Sequence, residues 1–101
     1  MPRYTLAESA NRDIDGILAV IHAQNETAAW DWYLALHKKF DTLARAPGIG
    51  RVRQDLLPGL SMFPFGNYLI FYDAVPDGIQ IVHVVHGARD VRHVFSQEAK
   101  D

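Results

Sequence analysis

The residues best suited to chemistry are cationic and fall in two stretches. Lys38, Lys39, Arg45, Arg51 and Arg53 face one acid, Asp41, between positions 38 and 53, and Arg89, Arg92 and His93 follow with Asp90 beside them. Guanidinium groups match the geometry of phosphates and carboxylates. The functional reading is that Arg51, Arg53 and Arg89 converge on an anion, either phosphate or acidic protein. The plainer reading is a set of solvated loop and helix-end charges. Residues 1–31 lean the other way, with Glu8, Asp13, Asp15, Glu26 and Asp31 against Arg3 and Arg12. The two halves nearly cancel to a net charge of −2, so bulk attraction to DNA, RNA or anionic lipid is not expected.

Other chemistries lack their residues. With no cysteine, there are no disulfides, thiolate nucleophiles or zinc–thiolate sites. His83 and His86 stand three apart on a strand and so point to opposite faces, while His22 and His37 sit on different helices with no acid at ligand spacing. No metal and no cofactor is expected. Neither Ser9 nor Ser61 lies in a nucleophile-elbow pattern, and no carboxylate pair stands at a strand end. No apolar run approaches the roughly 20 residues of a membrane span. The start, Met1-Pro2-Arg3-Tyr4-Thr5-Leu6, lacks a secretory pattern. A cytoplasmic protein without membrane contact is the expectation.

The elements that must position these groups can be read from periodicity. The 101 residues, 49% hydrophobic and 22% charged, suit one globular domain over 1–101. Residues 2–7 suit an edge strand. Ile14, Ile17, Leu18 and Ile21 recur at helical spacing over about 9–24, with Ser9 or Glu8 as cap. Thr27 is the expected cap of a second helix, carrying Ala29, Trp32 or Tyr33, Leu36, Phe40 and Leu43 up to Pro47-Gly48. Trp30, Trp32 and Tyr33 cannot all face one core, so at least one is expected at the surface. Residues 48–60 read as loop. Short strands follow at 60–65, 67–72 and 79–85, the last two joined through Val75-Pro76-Asp77-Gly78. Asp90 can cap a last helix over about 91–98. The expected fold is α+β, with an N-terminal helical hairpin on one face of a three- to four-stranded, mostly antiparallel sheet and a short C-terminal helix.

Five segments in this order carry a resemblance. They are Ala10, Asp13, Ile14 and Ile17; Leu43-Ala44-Arg45-Ala46-Pro47-Gly48-Ile49-Gly50-Arg51; Leu56 to Phe63; Asn67 to Tyr72; and Ile81 to Asp90, with His86-Gly87-Ala88-Arg89-Asp90 the most diagnostic. Together they resemble the ParE branch of the ParE/RelE toxin superfamily of bacterial type II toxin–antitoxin systems. The resemblance implies the same fold, a toxin silenced by a ParD-like antitoxin, and DNA gyrase as target. The RelE branch instead cuts mRNA on the ribosome, with sheet cations and a late tyrosine. Here the matching late aromatic is Phe95, which has no proton to give.

Two expectations result. The leading one is a binding inhibitor of gyrase. Its antitoxin would contact Trp30, Tyr33, Phe63, Phe65, Arg51 and Arg53, and its target Arg89, Arg92 and His93, with DNA contact left to the partner. The alternative is a ribosome-dependent mRNA endonuclease using Arg51, Arg53, Arg89 and His93.

Overall fold

The computed structural model describes residues 2–99. Strand β1 (Arg3–Leu6) leads into helices α1 (Glu8–Gln24) and α2 (Glu26–Arg45), and a 3-10 turn spans Pro47–Ile49. Strands β2 (Arg51–Val52), β3 (Ser61–Phe65), β4 (Tyr68–Val75) and β5 (Gly78–His86) follow, and helix α3 (Val91–Ala99) closes the chain. The α+β class, the helical hairpin and the C-terminal helix are as expected.

Asn25 alone makes the break between the long helices. Its extended backbone ends α1, where its N–H donates to the Ile21 carbonyl at 2.9 Å, and its side-chain oxygen accepts from the Ala28 N–H at 3.0 Å to start α2. The cap is therefore Asn25 and not Thr27. Ser9 is likewise no cap: α1 begins after Ala7, and the Ser9 hydroxyl donates to the Val82 carbonyl at 2.6 Å.

The sheet has five strands in the order β1-β5-β4-β3-β2. The fifth is β2, two residues long, inside the stretch read as loop. It pairs with β3 through Arg51↔Met62 and Val52↔Ser61. The sheet is mixed because β1 joins β5 in parallel, from Arg3↔Gly78 to Leu6↔Ile81. The β4–β5 hairpin turns at Pro76-Asp77 as expected.

Both faces of the sheet are covered. Ile70, Tyr72, Ile79, Ile81 and Val84 pack with Ile14, Leu36, Phe40 and Leu43 of the hairpin. Phe71, Val85 and Leu60 pack with Val94 and Phe95. The helices thus do not all lie on one face, because α3 covers the second. A bulge in β5 sets which face its last residues take. Phe71 pairs with His83 and Tyr72 with Ile81, leaving Val82 as an extra residue on β5. Alternation shifts there, so Val84 rejoins Ile79 and Ile81 under the hairpin.

Beyond Leu6, β5 has no strand neighbour on its β1 side, and α1 takes that place. Below the bulge the Ala7 N–H reaches the Ile81 carbonyl at 2.9 Å. Past it, the Asp13 carboxylate accepts the Val84 N–H at 3.0 Å and meets His83 Nδ1 at 2.6 Å. Unpaired strand edges invite further pairing, and here the side chains of a helix satisfy this one.

Candidate partner-binding surfaces

The cationic loop is held by Tyr72. Its buried hydroxyl donates to the Pro47 carbonyl at 2.7 Å, and the ring passes against Gly50, where a Cβ would lie 2.8 Å from the ring carbon bearing the hydroxyl. Glycine is required there by close approach, and this contact fixes where β2 starts. Arg51 then lies on β2, and the Arg53 N–H closes the loop on the Leu60 carbonyl at 2.8 Å. The Arg53 guanidinium meets both oxygens of Asp55 at 2.9 Å, a bidentate pair, and also approaches the Met62 sulfur at 3.5 Å. Arg92 comes within 3.2 Å of the same carboxylate. Its position at the start of α3 is set by Asp90, whose carboxylate accepts the N–H groups of Arg92 and His93.

Arg53 and Arg92 therefore meet, but on an internal acid, Asp55. No sequence pattern marked Asp55, since it sits in an aperiodic loop and pairs with a residue of another element. Arg89 turns elsewhere, into a cleft against α1 lined also by Arg12 and His86. Of the two readings of Arg51, Arg53 and Arg89, meeting on one anion does not hold: Arg53 pairs with Asp55, and Arg89 lies in a cleft with Arg12 and His86. The late aromatic Phe95 is buried against Phe71 and His83, with ring centroids 4.9 and 5.2 Å away.

Two acids should respond to pH with opposite signs. The hydrogen bonds from Arg53 hold the Asp55 carboxyl down from 3.8 to about 2. Its contribution to stability is present above about pH 4 and is lost as pH falls toward 2. Asp73 on β4 is pushed up by burial, and its Oδ1 is buried without a hydrogen-bond partner among the described residues. Ionising it costs stability as pH rises past the ordinary carboxylate range. Asp73→Asn should therefore raise the Tm at pH 7 and leave it unchanged near pH 3, whereas Asp55→Asn should lower it at pH 7 and lose that effect near pH 2. Thermal melts across pH check both signs.

The aromatic candidates divide in the same way. Trp30 is 60% exposed and stacks on the half-buried Tyr33 with centroids 6.0 Å apart. Both line a groove of about 890 Å³ between α1 and α2. Small and apolar residues, Leu18, Ala19, Ala23 and Ala29, also line it, together with Asp15 and Glu26. Trp32 instead packs edge-on against Phe65 and Tyr68 at 6.1 and 5.4 Å. Phe63 and Phe65 lie half-buried on the hairpin side of β3, Phe63 with the Lys39 ammonium 5.1 Å from its ring centre. Trp30 and Tyr33 thus form one surface with α1. Phe63 and Phe65 belong to the rim of the core. Sequence reasoning expected at least one of Trp30, Trp32 and Tyr33 at the surface but not the groove, because the alanines that open it read as ordinary helix formers.

A helical hairpin, a five-stranded mixed sheet and cations on the loop and the last helix make a small α+β fold whose surfaces are candidates for binding. The description "ParE toxin of type II toxin-antitoxin system, parDE" matches residues 4–91, and the chain belongs to that family. A solved structure titled "Chromosomal ParDE TA system from P. aeruginosa" superposes with a TM-score of 0.71 at 16% identity, over 85% of this chain and 96% of the other. At that identity the likeness speaks for the fold. A search of curated proteins gave no match. No helix among the described residues is long and apolar enough to cross a membrane.

Proposed function

We propose that this chain poisons by binding: it inhibits DNA gyrase and is neutralised by a ParD-like antitoxin. The observation that carries the binding half is the Trp30–Tyr33 groove. An open apolar trough with a stacked aromatic pair between two helices accepts the apolar face of an amphipathic segment. Asp15 and Glu26 on its lining favour lysine or arginine beside that face, and Arg51 and Arg53 favour acids further along the antitoxin, past Phe63 and Phe65. The target would meet Arg92, His93 and Arg89 around the start of α3.

Family membership and the separation of the cations support inhibition over RNA cleavage. Transfer of the 2′-hydroxyl proton needs an acid and a base set around one phosphate. Arg53 is engaged by Asp55, Arg89 lies in a different cleft, and Phe95 is in the core.

Induction without antitoxin should arrest growth, and the purified protein should block gyrase supercoiling while leaving mRNA on translating ribosomes intact. Fragmented transcripts with normal supercoiling would establish the endonuclease instead. Trp30→Ala should weaken antitoxin binding about 30-fold or more, as expected for a central aromatic anchor, and leave growth arrest intact. Titration of the purified pair reads the first effect and plating the second.

A further inference from the structure

The cleft that holds Arg89 has a composition that contact between Arg89 and the target does not account for. It encloses about 400 Å³ between α1 and the ends of β4 and β5, within the ~300–1,000 Å³ range of small-molecule sites. Its polar groups are mostly donors. Arg89 has no ion-pair partner among the described residues. Arg12 pairs only with Glu8 across one helical turn at 3.3 Å, with side chains 70% and 87% exposed, a contact easily exchanged for a stronger anion. His86 accepts the Ala88 N–H on Nδ1 at 3.1 Å, so the neutral ring carries its proton on Nε2 and presents a donor. The carboxylate in the lining, Asp13, already has Oδ2 engaged by His83 and the Val84 N–H.

The turn that carries Arg89 is held in place. The Gly87 N–H bonds the Asn67 carbonyl at 2.8 Å, and the Arg89 N–H bonds the His86 carbonyl at 3.0 Å. The lining also carries apolar groups beside the donors. Val20 is 63% exposed there, and Tyr68 stands edge-on to His86 at 5.4 Å. At the middle of α1 the cleft opens over Gly16, whose missing Cβ would meet nothing within 4 Å.

We propose that this cleft binds a phosphate monoester carried on a flat or apolar body the size of a mononucleotide. Arg89 and Arg12 take the phosphate in charge-assisted bonds, His86 Nε2 adds a third donor, and the body lies along Val20 and Tyr68 over Gly16. This assignment shares Arg89 with the proposed target surface, but nucleotide binding is read on the purified chain without gyrase, so the two readings fail separately.

The test is calorimetric titration of the purified chain at fixed ionic strength with AMP, GMP, inorganic phosphate and adenosine. Saturable one-to-one binding of a mononucleotide is expected, with phosphate and adenosine each about tenfold weaker or more. Arg89→Gln should weaken the mononucleotide at least about tenfold and Arg12→Gln by about threefold. Arg45→Gln, which removes a distant exposed charge, should change nothing. Gly16→Leu keeps every charge and fills the floor, so it should abolish binding. Gly16→Ala adds one methyl where nothing lies within 4 Å, so it should fold and keep binding, and the loss in Gly16→Leu is then the filling of the floor. The proposal is overturned by no saturable binding up to about 10 mM, by equal losses in Arg89→Gln and Arg45→Gln, or by inorganic phosphate binding as tightly as the nucleotides. Since Arg89 is at the surface, its variant decides the matter even where Gly16→Leu does not fold.

Discussion

Asp13→Ala is expected to destabilise this protein by about 2–5 kcal/mol, the range for leaving a buried N–H unsatisfied and losing a second hydrogen bond to a carboxylate. The reason lies in how β5 ends. Past Ile81 the strand has lost β1, and its exposed edge would present bare amide groups. Asp13 stands in for the missing strand, taking the Val84 N–H at 3.0 Å and the His83 ring at 2.6 Å. Alanine removes both at once, in a place where the Asp13 and His83 side chains are only 16% and 9% exposed. Water cannot easily replace what is lost, so the buried N–H bears most of its desolvation cost. Asp13→Asn keeps an acceptor for the Val84 N–H and should recover more than half of the loss. Urea unfolding of the three proteins measures this. A cost below about 1 kcal/mol for alanine would mean that the contact behaves as a surface pair and that α1 covers the edge by packing alone.

The second large effect is expected at Gly78. Its φ is +154°, and a Cβ there would sit 2.8 Å from the carbonyl carbon of Arg3 and closer still to the oxygen. Those atoms are backbone, so no rotamer change relieves the clash. Gly78→Ala must push β1 away from β5 at Arg3↔Gly78, the first pair of their ladder. The expected cost is on the order of 3 kcal/mol or more, combining backbone strain with loss of strand pairing. Gly59→Ala provides the contrast. Its φ of +77° is also disfavoured for alanine, but the space is open, so its cost should stay near 1 kcal/mol, the conformational term alone. Amide exchange at Thr5 and Leu6 should accelerate in Gly78→Ala and not in Gly59→Ala. Unchanged exchange there would show that β1 accommodates the extra atom without leaving the sheet.

Much of this architecture was legible in the chain. Ile14, Ile17, Leu18 and Ile21 define the inner stripe of α1, and Pro47 ends the reach of α2, because helical period and proline geometry act within a few residues of chain. The turn at Pro76-Asp77 and the cap at Asp90 are local for the same reason. That at least one of Trp30, Trp32 and Tyr33 reaches the surface followed from their angular spread around one helix, and the structure shows it is Trp30. Asn25 was missed as a cap because it ends one helix and starts the next, leaving no linker to mark it. Strand β2 was missed because two residues have no periodicity of their own, and Met62 and Ser61 across the ladder define them.

The cationic candidates show where local reading stops. Arg51, Arg53, Arg89 and Arg92 could be named from composition, but their company could not. Whether a guanidinium faces solvent, a cleft or an internal acid depends on residues far off in sequence, and Asp55 claimed Arg53 and Arg92 while Arg12 and His86 kept company with Arg89. The chain alone determined its helices, its hairpin and the kinds of groups it can offer a partner, since each of these is written in short-range spacing, and its family showed as a resemblance carried by five segments in order. Only the folded molecule decided that one extra residue in β5 turns Val84 under the hairpin, that Asp13 closes an open edge, and that the cations serve two places. Those outcomes depend on sheet register and on helix placement, which arise from the packing of the whole chain and from no segment of it.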